Sequence, residues 1–272
     1  MHVARQSKHE SRAVWRYASA SVQGTSHVDS GFPCQDNALT AVVQQANDED
    51  VLIIACADGA GSARFSQEGS ALACVAVIGE VSDYLERHAL SSVAPSNVEQ
   101  WYLGVNATLA ERAQELSAVP RDMACTLLLA VLAPDVTVFA QIGDGAIVAS
   151  DEANDCYIPI FWPQSGEYAN STYFVTESEA LVRLQIVVER DRTVREVALF
   201  TDGIQTIALR YDTKAAHTPF FRPMFARLRD EPRGHAAELS QALGVFLQSP
   251  KVNERTDDDK TLVLATRIPL HA

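Results

Sequence analysis

Two amphipathic helical stretches stand next to each other in this sequence, with strand-like segments before and after them. The first starts near Ser66 and keeps apolar residues at helical spacing as far as Leu85. The second starts at Ser96, which has capping-box spacing to Glu99, and continues until shortly before Pro120. Because the helices do not alternate with strands, the pattern predicts an α+β fold with antiparallel sheets and not a βαβ arrangement.

Nine segments have the apolar runs or the alternation that are typical of strands. They are residues 15–22, 38–43, 51–57, 125–132, 136–142, 146–149, 184–188, 197–201 and 261–266. Residues 236–247 predict a helix, whereas residues 24–33 and 151–180 predict irregular structure. No repeat and no linker rich in Pro or Gly divides the chain. We therefore expect a polar tail over residues 1–13 and a single domain over residues 14–268.

Charge and composition exclude several classes of function. The 272 residues include 22 Lys and Arg against 35 Asp and Glu, a formal net charge of −13. This balance argues against general nucleic-acid binding and against docking on an anionic membrane, since both need a basic face. We expect no signal peptide and no membrane span. The five cysteines form no CxxC pair and lie mostly in apolar runs, so we expect reduced, buried thiols in a cytoplasmic protein.

Aspartates mark the ends of the predicted strands. Three follow a strand and stand before a glycine, and the others come before a strand: Asp58, Asp144 and Asp202, then Asp36 and the pair Asp258 and Asp259. In antiparallel sheets these positions can share one edge, where the carboxylates would repel each other unless cations lay between them. A site built from carboxylate oxygens suits Mg²⁺ or Mn²⁺ better than Zn²⁺.

A simpler interpretation of each Asp-Gly pair is a turn, because aspartate tolerates left-handed backbone and glycine adopts it freely. For any one pair, the turn is the more frequent explanation. Three such pairs, each after a buried-type strand, are harder to explain in this way. A calcium-binding structural protein is another hypothesis for the aspartates, but the EF-hand spacing D-x-D-x-D-G is absent from the sequence.

The ordered set of motifs resembles the metal-dependent protein phosphatases of type 2C, in their compact bacterial branch. The motifs are Cys34-Gln-Asp36, Ala57-Asp-Gly-Ala-Gly-Ser62, Ile142-Gly-Asp-Gly145, Phe200-Thr-Asp-Gly203 and Asp258-Asp-Lys-Thr261, with similar stretches at 24–27, 166–170 and 252–257. The resemblance extends from about residue 15 to residue 267. It implies a four-layer α/β/β/α sandwich of two antiparallel sheets flanked by helices. It also implies a centre of two Mn²⁺ or Mg²⁺ ions that hydrolyses phosphoserine and phosphothreonine.

The resemblance also implies roles for single residues. Asp58 would bridge both ions, with the Gly59 carbonyl as a further ligand. Asp202 and Asp258 would bind the first ion, with Asp259 as the alternative to Asp258. The remaining roles fall to Asp36, which would hold water on the second ion, and to Asp144, which would recruit a third. The four carboxylates taken as catalytic are Asp36, Asp58, Asp202 and Asp258.

The sequence departs from the family pattern in three places. Gln35 stands where many relatives have Glu. Gly31 stands where many relatives place an arginine that binds the substrate phosphate, and His27 and Arg64 are the nearby candidates. A hydrogen-bonded loop histidine explains His27 equally well, and a solvated loop charge is the better explanation of Arg64. Ala60 replaces a histidine that is proposed as general acid in animal members, so the leaving group must take its proton from elsewhere.

The resemblance implies a nucleophilic water that two metal ions acidify, and in-line attack on phosphorus. No cysteine-based phosphatase loop is visible. The expected partner is a phosphorylated protein, with an opposing serine/threonine kinase, and neither nucleic acid nor membrane. The alternative is a catalytically weak phosphoprotein-binding or scaffolding module on the same fold, because the missing Arg and His are what an inactive relative could lose.

Overall fold

Two large sheets lie face to face in the computed structural model, which describes residues 13–45, 50–165, 172–190, 192 and 194–269. The strands are β1 (Ala13–Val22), β2 (Asn37–Gln44), β3 (Asp50–Ala57), β4 (Leu127–Leu132), β5 (Thr137–Ile142), β6 (Ala146–Asp151), β7 (Cys156–Pro159), β8 (Gln185–Glu189), β9 (Glu196–Phe200), β10 (Leu209–Arg210), β11 (Ala215–Ala216), β12 (Gly234–His235) and β13 (Lys260–Pro269). The helices are α1 (Thr25–Ser30), α2 (Ser66–Arg87), α3 (Pro95–Glu115), α4 (Ala180–Arg183), α5 (Gln205–Ala208), α6 (Thr218–Leu228), α7 (Ala237–Leu247) and α8 (Pro250–Asn253).

The larger sheet has the order β12-β1-β13-β9-β6-β7, and the second has the order β2-β3-β4-β5-β8. All pairs in both sheets are antiparallel except the short pairing of β1 with β12. Strands β10 and β11 form a separate hairpin. The connections β2–β3, β4–β5 and β6–β7 are short, which requires antiparallel pairing of these strands, since parallel neighbours need long crossovers.

Alternation of side chains along the buried strands divides the core into three layers. In β3, Ile53 and Ala55 pack with the apolar faces of α2 and α3, whereas Leu52, Ile54 and Cys56 pack between the two sheets. The outer face of the larger sheet is covered in the same way by α6 and α7. A strand buried on both faces reads as a continuous apolar run, as residues 51–57 do. The predicted α/β/β/α order of layers is confirmed.

Some local predictions were wrong. Helix α3 begins at Pro95, and the Asn97 side chain accepts the Ala94 N–H at 2.8 Å, so the expected Ser96–Glu99 capping box does not form. Proline needs no partner for its nitrogen at the first helical position, which explains the earlier start. Helix α1 lies within residues 24–33, and β7 within residues 151–180, both predicted as irregular.

Other predictions fall partly outside the described residues. Residues 1–12 of the expected tail and the stretch 166–170 belong to the part that is not described, while Ala13 is the first residue of β1. All five cysteines are free thiols. None of the helices in the described ranges combines the length and the apolar character that crossing a bilayer requires.

Candidate metal centre

Strand pairing brings the aspartates to one end of both sheets. Asn37 pairs with Ala57, so Asp36 and Asp58 come together at the edge of the smaller sheet. In the larger sheet Phe200 pairs with both Ala146 and Leu262. This pairing brings the segments that carry three further aspartates to one end of that sheet: Asp144, Asp202 and Asp258.

Three of these carboxylates form a compact group. One oxygen each of Asp58, Asp144 and Asp202 lies within 4.8 Å of the other two, a spacing that a single cation could satisfy. The backbone of Asp58 is fixed by Thr126, whose Oγ1 accepts the Asp58 N–H at 2.9 Å and whose N–H donates to the Asp58 carbonyl at 2.8 Å. Asp58 is therefore fixed, through Thr126, to the segment directly before β4.

Burial and mutual repulsion disfavour the charged state of this cluster. Burial is the largest cause that raises the pKa of Asp58 well above its usual range, and Asp36 and Asp202 add to it. Burial also raises the pKa of Asp202 to about 8, with Asp144 and Asp258 contributing. For Asp36 burial raises the pKa to about 7, although Thr201 Oγ1 donates to its Oδ2 at 2.6 Å. Without a cation, the site holds protons that it would otherwise lose.

Unpartnered oxygens indicate what the cluster lacks. Asp36 Oδ1, Asp144 Oδ1 and Gln35 Oε1 are buried and have no hydrogen-bond partner among the described residues. Buried acceptors without a donor are rare, because each costs about 1–3 kcal/mol. Cations supply the missing charge and coordination, and an all-oxygen donor set is the one that Mg²⁺ and Mn²⁺ prefer. The residues present therefore fit these ions.

Asp258 and Asp259 have different surroundings. Asp259 is buried, and its carboxylate accepts the N–H of Gly24 at 2.7 Å, the N–H of Gln35 at 2.5 Å and His27 Nδ1–H at 2.9 Å. Its acceptors are thus occupied in joining its own segment to residues 24–27 and to Gln35. Asp258 is less buried, and its Oδ1 accepts the N–H of Asp259 at 2.8 Å. Burial raises the pKa of Asp258.

The Asp-Gly pairs do not adopt the left-handed backbone on which the turn interpretation rests. None of the three aspartates, and none of the glycines that follow them, has a positive φ in the structure. The glycines are needed for close packing instead. A Cβ at Gly59 would lie 2.6 Å from the Ser66 carbonyl oxygen, and one at Gly203 would lie 1.9 Å from the Asp259 carbonyl oxygen. Each site brings another backbone segment against the aspartate turn, which Cβ would prevent.

Glutamines, which the sequence analysis did not identify, fix the turn that carries Asp144. Gln141 Nε2 donates to the carbonyls of Gly143 at 3.1 Å and Gly145 at 3.0 Å. Gln164 Oε1 accepts the Gly143 N–H at 2.7 Å, and Gln205 Nε2 donates to the Asp144 carbonyl. Gln141 and Gln205 had a local signal, since each lies three residues from an aspartate of the motifs, whereas Gln164 had none.

Lys260 is a second residue that the sequence analysis did not identify as functional. It is fully buried, and its Nζ donates to the Asp258 carbonyl at 3.0 Å. Burial lowers its pKa, while the carboxylates of Asp259, Asp258 and Asp36 raise it. It places one positive charge inside a group of carboxylates.

The structure gives a reason for one family departure, Gly31, and shows the surroundings of the other residues concerned. Gly31 ends α1 with a φ of 74°, where an arginine would be strained. His27, one candidate for the phosphate contact, has Nδ1 bound to Asp259, as in the loop-histidine alternative. The other candidate, Arg64, is exposed, with its guanidinium 4.7 Å from the centre of the Phe65 ring. Ala60 donates its N–H to the Ala124 carbonyl at 2.9 Å.

A cavity of about 390 Å³ lies at the other end of the larger sheet. Its arginines are already paired, for example Arg229 with Glu196 at 2.6 Å and Arg195 with Glu152 at 2.8 Å. Strand β9 carries Glu196 at one end and is followed by Asp202 at the other. This cavity is therefore separate from the aspartate cluster.

Comparison with known proteins agrees with the geometry. The family described as Protein phosphatase 2C matches residues 23–247. Serine/threonine-protein phosphatase 3 of Escherichia coli (strain K12) is 38% identical over 253 residues, which cover 92% of this chain and 98% of that protein.

Solved structures share the fold at low identity. The catalytic domain of the serine/threonine phosphatase PstP, in complex with two manganese ions, is 15% identical with a TM-score of 0.58 and covers 94% of this chain and 99% of its own. Serine/threonine phosphatase Stp1 from Staphylococcus aureus is 14% identical with a TM-score of 0.57 and covers 92% and 94%. As the order of the aspartate motifs predicted, the chain belongs to the protein phosphatase 2C family.

Proposed function

We propose that this protein hydrolyses phosphoserine and phosphothreonine in other proteins with the help of two Mn²⁺ or Mg²⁺ ions. The observation that carries this proposal is the cluster of Asp58, Asp144 and Asp202, whose carboxylate oxygens lie within 4.8 Å of one another. Family membership supports the reaction class, and the 38% identical relative carries the name of a serine/threonine phosphatase. A serine/threonine kinase that modifies the same proteins would be its functional opponent.

The carboxylates divide between the two ions as follows. By the family resemblance, Asp58 would be a ligand of both ions, and the Gly59 carbonyl would be a further ligand beside it. Asp202 and Asp258 would hold the first ion. We assign Asp258 and not Asp259 because the Asp259 oxygens already accept three N–H groups. Asp144 would serve a third ion.

Bound ions would supply an acidified water and would neutralise the phosphate oxygens. In the chain itself, Asp36 prepares the position of the second ion. Thr201 Oγ1 holds Oδ2 of this carboxylate, which leaves the buried Oδ1 free to accept from a water. Gln35 presents a neutral amide oxygen where a charged Glu would add another negative charge. This reduces the repulsion that the entering phosphate meets.

The substrate phosphate still needs contacts from the protein. Arg64 fits this role better than His27, because it is exposed on the loop that follows Asp58, whereas His27 Nδ1 is bound to Asp259. Because the side chain of Ala60 has no proton to donate, the leaving serine or threonine would take its proton from water.

Asparagine substitutions test this proposal. With a phosphoserine peptide as substrate, Asp58→Asn should cost the most activity with little loss of fold, and Asp202→Asn should also be severe. Asp144→Asn should be milder at high Mn²⁺. Asp135→Asn, in the exposed β4–β5 turn, is the matched control for loss of one charge. A folded Asp58→Asn protein with wild-type turnover at limiting Mn²⁺ would overturn the assignment, and no hydrolysis by the wild type with either ion would favour a binding module.

A further inference from the structure

An exposed tyrosine is connected to the aspartate cluster through a buried glutamine. Tyr211 follows β10 and is 54% exposed, yet its hydroxyl donates to Gln205 Oε1. Gln205 is 8% exposed and donates through its other amide atom to the Asp144 carbonyl. The ring of Tyr211 thus presents one side to solvent, while its hydroxyl end is fixed against the turn that carries Asp144.

A tryptophan from a different part of the chain supports the same ring. The Trp162 and Tyr211 ring centres are 5.2 Å apart at an interplanar angle of 80°, an edge-to-face contact. Trp162 stands two residues before Gln164, whose Oε1 accepts the Gly143 N–H. Both members of this aromatic pair are therefore attached to the Asp144 turn, one through Gln164 and one through Gln205.

The aromatic pair lies near the carboxylates of the aspartate cluster. Burial raises the pKa of Tyr211, and the charges of Asp202 and Asp144 raise it further. An exposed aromatic ring offers a large contact area and few rotatable bonds, which is why tyrosine is frequent where proteins bind peptides. The described structure gives the exposed face of Tyr211 no internal role.

We propose that Tyr211, supported by Trp162, is a specificity-determining residue that contacts the residues next to the phosphorylated serine or threonine of a protein substrate. This rests on the proposed function, because the phosphate would have to sit at the aspartate cluster. The bonds through Gln205 keep the ring in place, so that the contact needs little ordering on binding. A phosphorylated side chain without neighbouring residues would not reach this surface.

Two substrates with the same leaving group test the proposal. One is a ten-residue phosphoserine peptide, and the other is N-acetyl-phosphoserine N-methylamide, which has no flanking side chains. Tyr211→Ala should raise KM for the peptide about tenfold, as for an aromatic anchor of an interface. It should leave kcat/KM for the small amide within about twofold. Tyr211→Phe keeps the ring but loses the bond to Gln205, so it should raise the peptide KM by less than Tyr211→Ala does.

Further variants and binding data complete the test. Trp162→Leu should also raise the peptide KM. This variant serves as the test if Tyr211→Ala fails to fold. Binding of a phosphonate analogue of the peptide should change the tryptophan fluorescence. The change is assigned to Trp162 because Trp15 and Trp101 are buried and would not contact the peptide. Equal losses on both substrates, or an equal KM increase in Tyr211→Phe, would overturn the inference. Failure of the wild type to hydrolyse either substrate would instead refute the proposed function.

Discussion

Replacing Asp259 by asparagine should destabilise the fold, whereas the same change at Asp258 should weaken cation binding. The Asp259 carboxylate is 2% exposed and accepts three hydrogen bonds, from Gly24, Gln35 and His27. Among the described residues, Asp258 accepts one, the N–H of Asp259. The fold therefore depends more on the Asp259 carboxylate than on that of Asp258, although the sequence motif alone does not distinguish the two.

The magnitude follows from the donors. An asparagine offers one oxygen, so its NH₂ group must face at least one of the N–H donors that Asp259 satisfies. Losing one or two charge-assisted hydrogen bonds of about 1.5–3 kcal/mol each gives a destabilisation of about 3 kcal/mol. For a chain of this size, about 2–4 °C of Tm corresponds to each kcal/mol, so Asp259→Asn should lower Tm by about 6–12 °C.

Thermal unfolding in a chelator measures the structural part, and calorimetric titration with Mn²⁺ measures the site. Asp258→Asn should keep the metal-free Tm within about 2 °C, because the asparagine Oδ1 can still accept the N–H of Asp259. It should bind Mn²⁺ more weakly. Asp257→Asn, at the exposed preceding position, is the matched control and should change neither. An Asp259→Asn protein with wild-type Tm and reduced Mn²⁺ affinity would refute this reasoning.

Three other changes test separate parts of the site. Lys260→Met removes the buried positive charge and should lower the metal-free Tm but enlarge the Tm increase on adding Mn²⁺; unchanged values in both would contradict the role of Lys260 as a counter-charge. Because burial raises the pKa of Asp36 to about 7 and of Asp202 to about 8, their protons stabilise the metal-free fold at acid pH, and this contribution is lost from about pH 4 to 8. The Tm increase with Mn²⁺ should therefore be larger at pH 8 than at pH 6, and the opposite order would be inconsistent with proton displacement. Burial raises the pKa of Cys34 to about 12, so Cys34→Ala should keep full turnover, whereas loss of activity in a folded variant would indicate thiol chemistry.

Nine of the strands, and the place of each aspartate beside a strand end, could be predicted from the sequence, whereas the order of the strands in the two sheets was not predicted. The run 51–57 is apolar throughout because β3 is buried on both faces, and Asp58 follows it at the sheet edge. Antiparallel pairing then brings Asp36 beside Asp58, since Asn37 pairs with Ala57. These inferences depend only on period-two alternation and on strand ends, which are local properties.

The supporting contacts could not be predicted, because they join distant parts of the chain. His27 and Asp259 are 232 residues apart in sequence, and Gln205 lies 61 residues from the Asp144 carbonyl that it binds. Glutamine is common on protein surfaces, so its type alone carries no signal. The turn interpretation gave Gly59 and Gly203 a left-handed backbone, yet neither has a positive φ, and the close approach of neighbouring backbone requires a glycine at both positions.

Restoring metal to stripped protein tests the central claim most directly. The protein would be freed of metal with a chelator, its metal content determined by elemental analysis, and hydrolysis of the phosphoserine peptide followed as Mn²⁺ is added. The cluster of carboxylates predicts no turnover in the stripped protein and recovery in parallel with the binding of two Mn²⁺ ions per chain. Full turnover in the chelator, with no metal bound, would contradict the account.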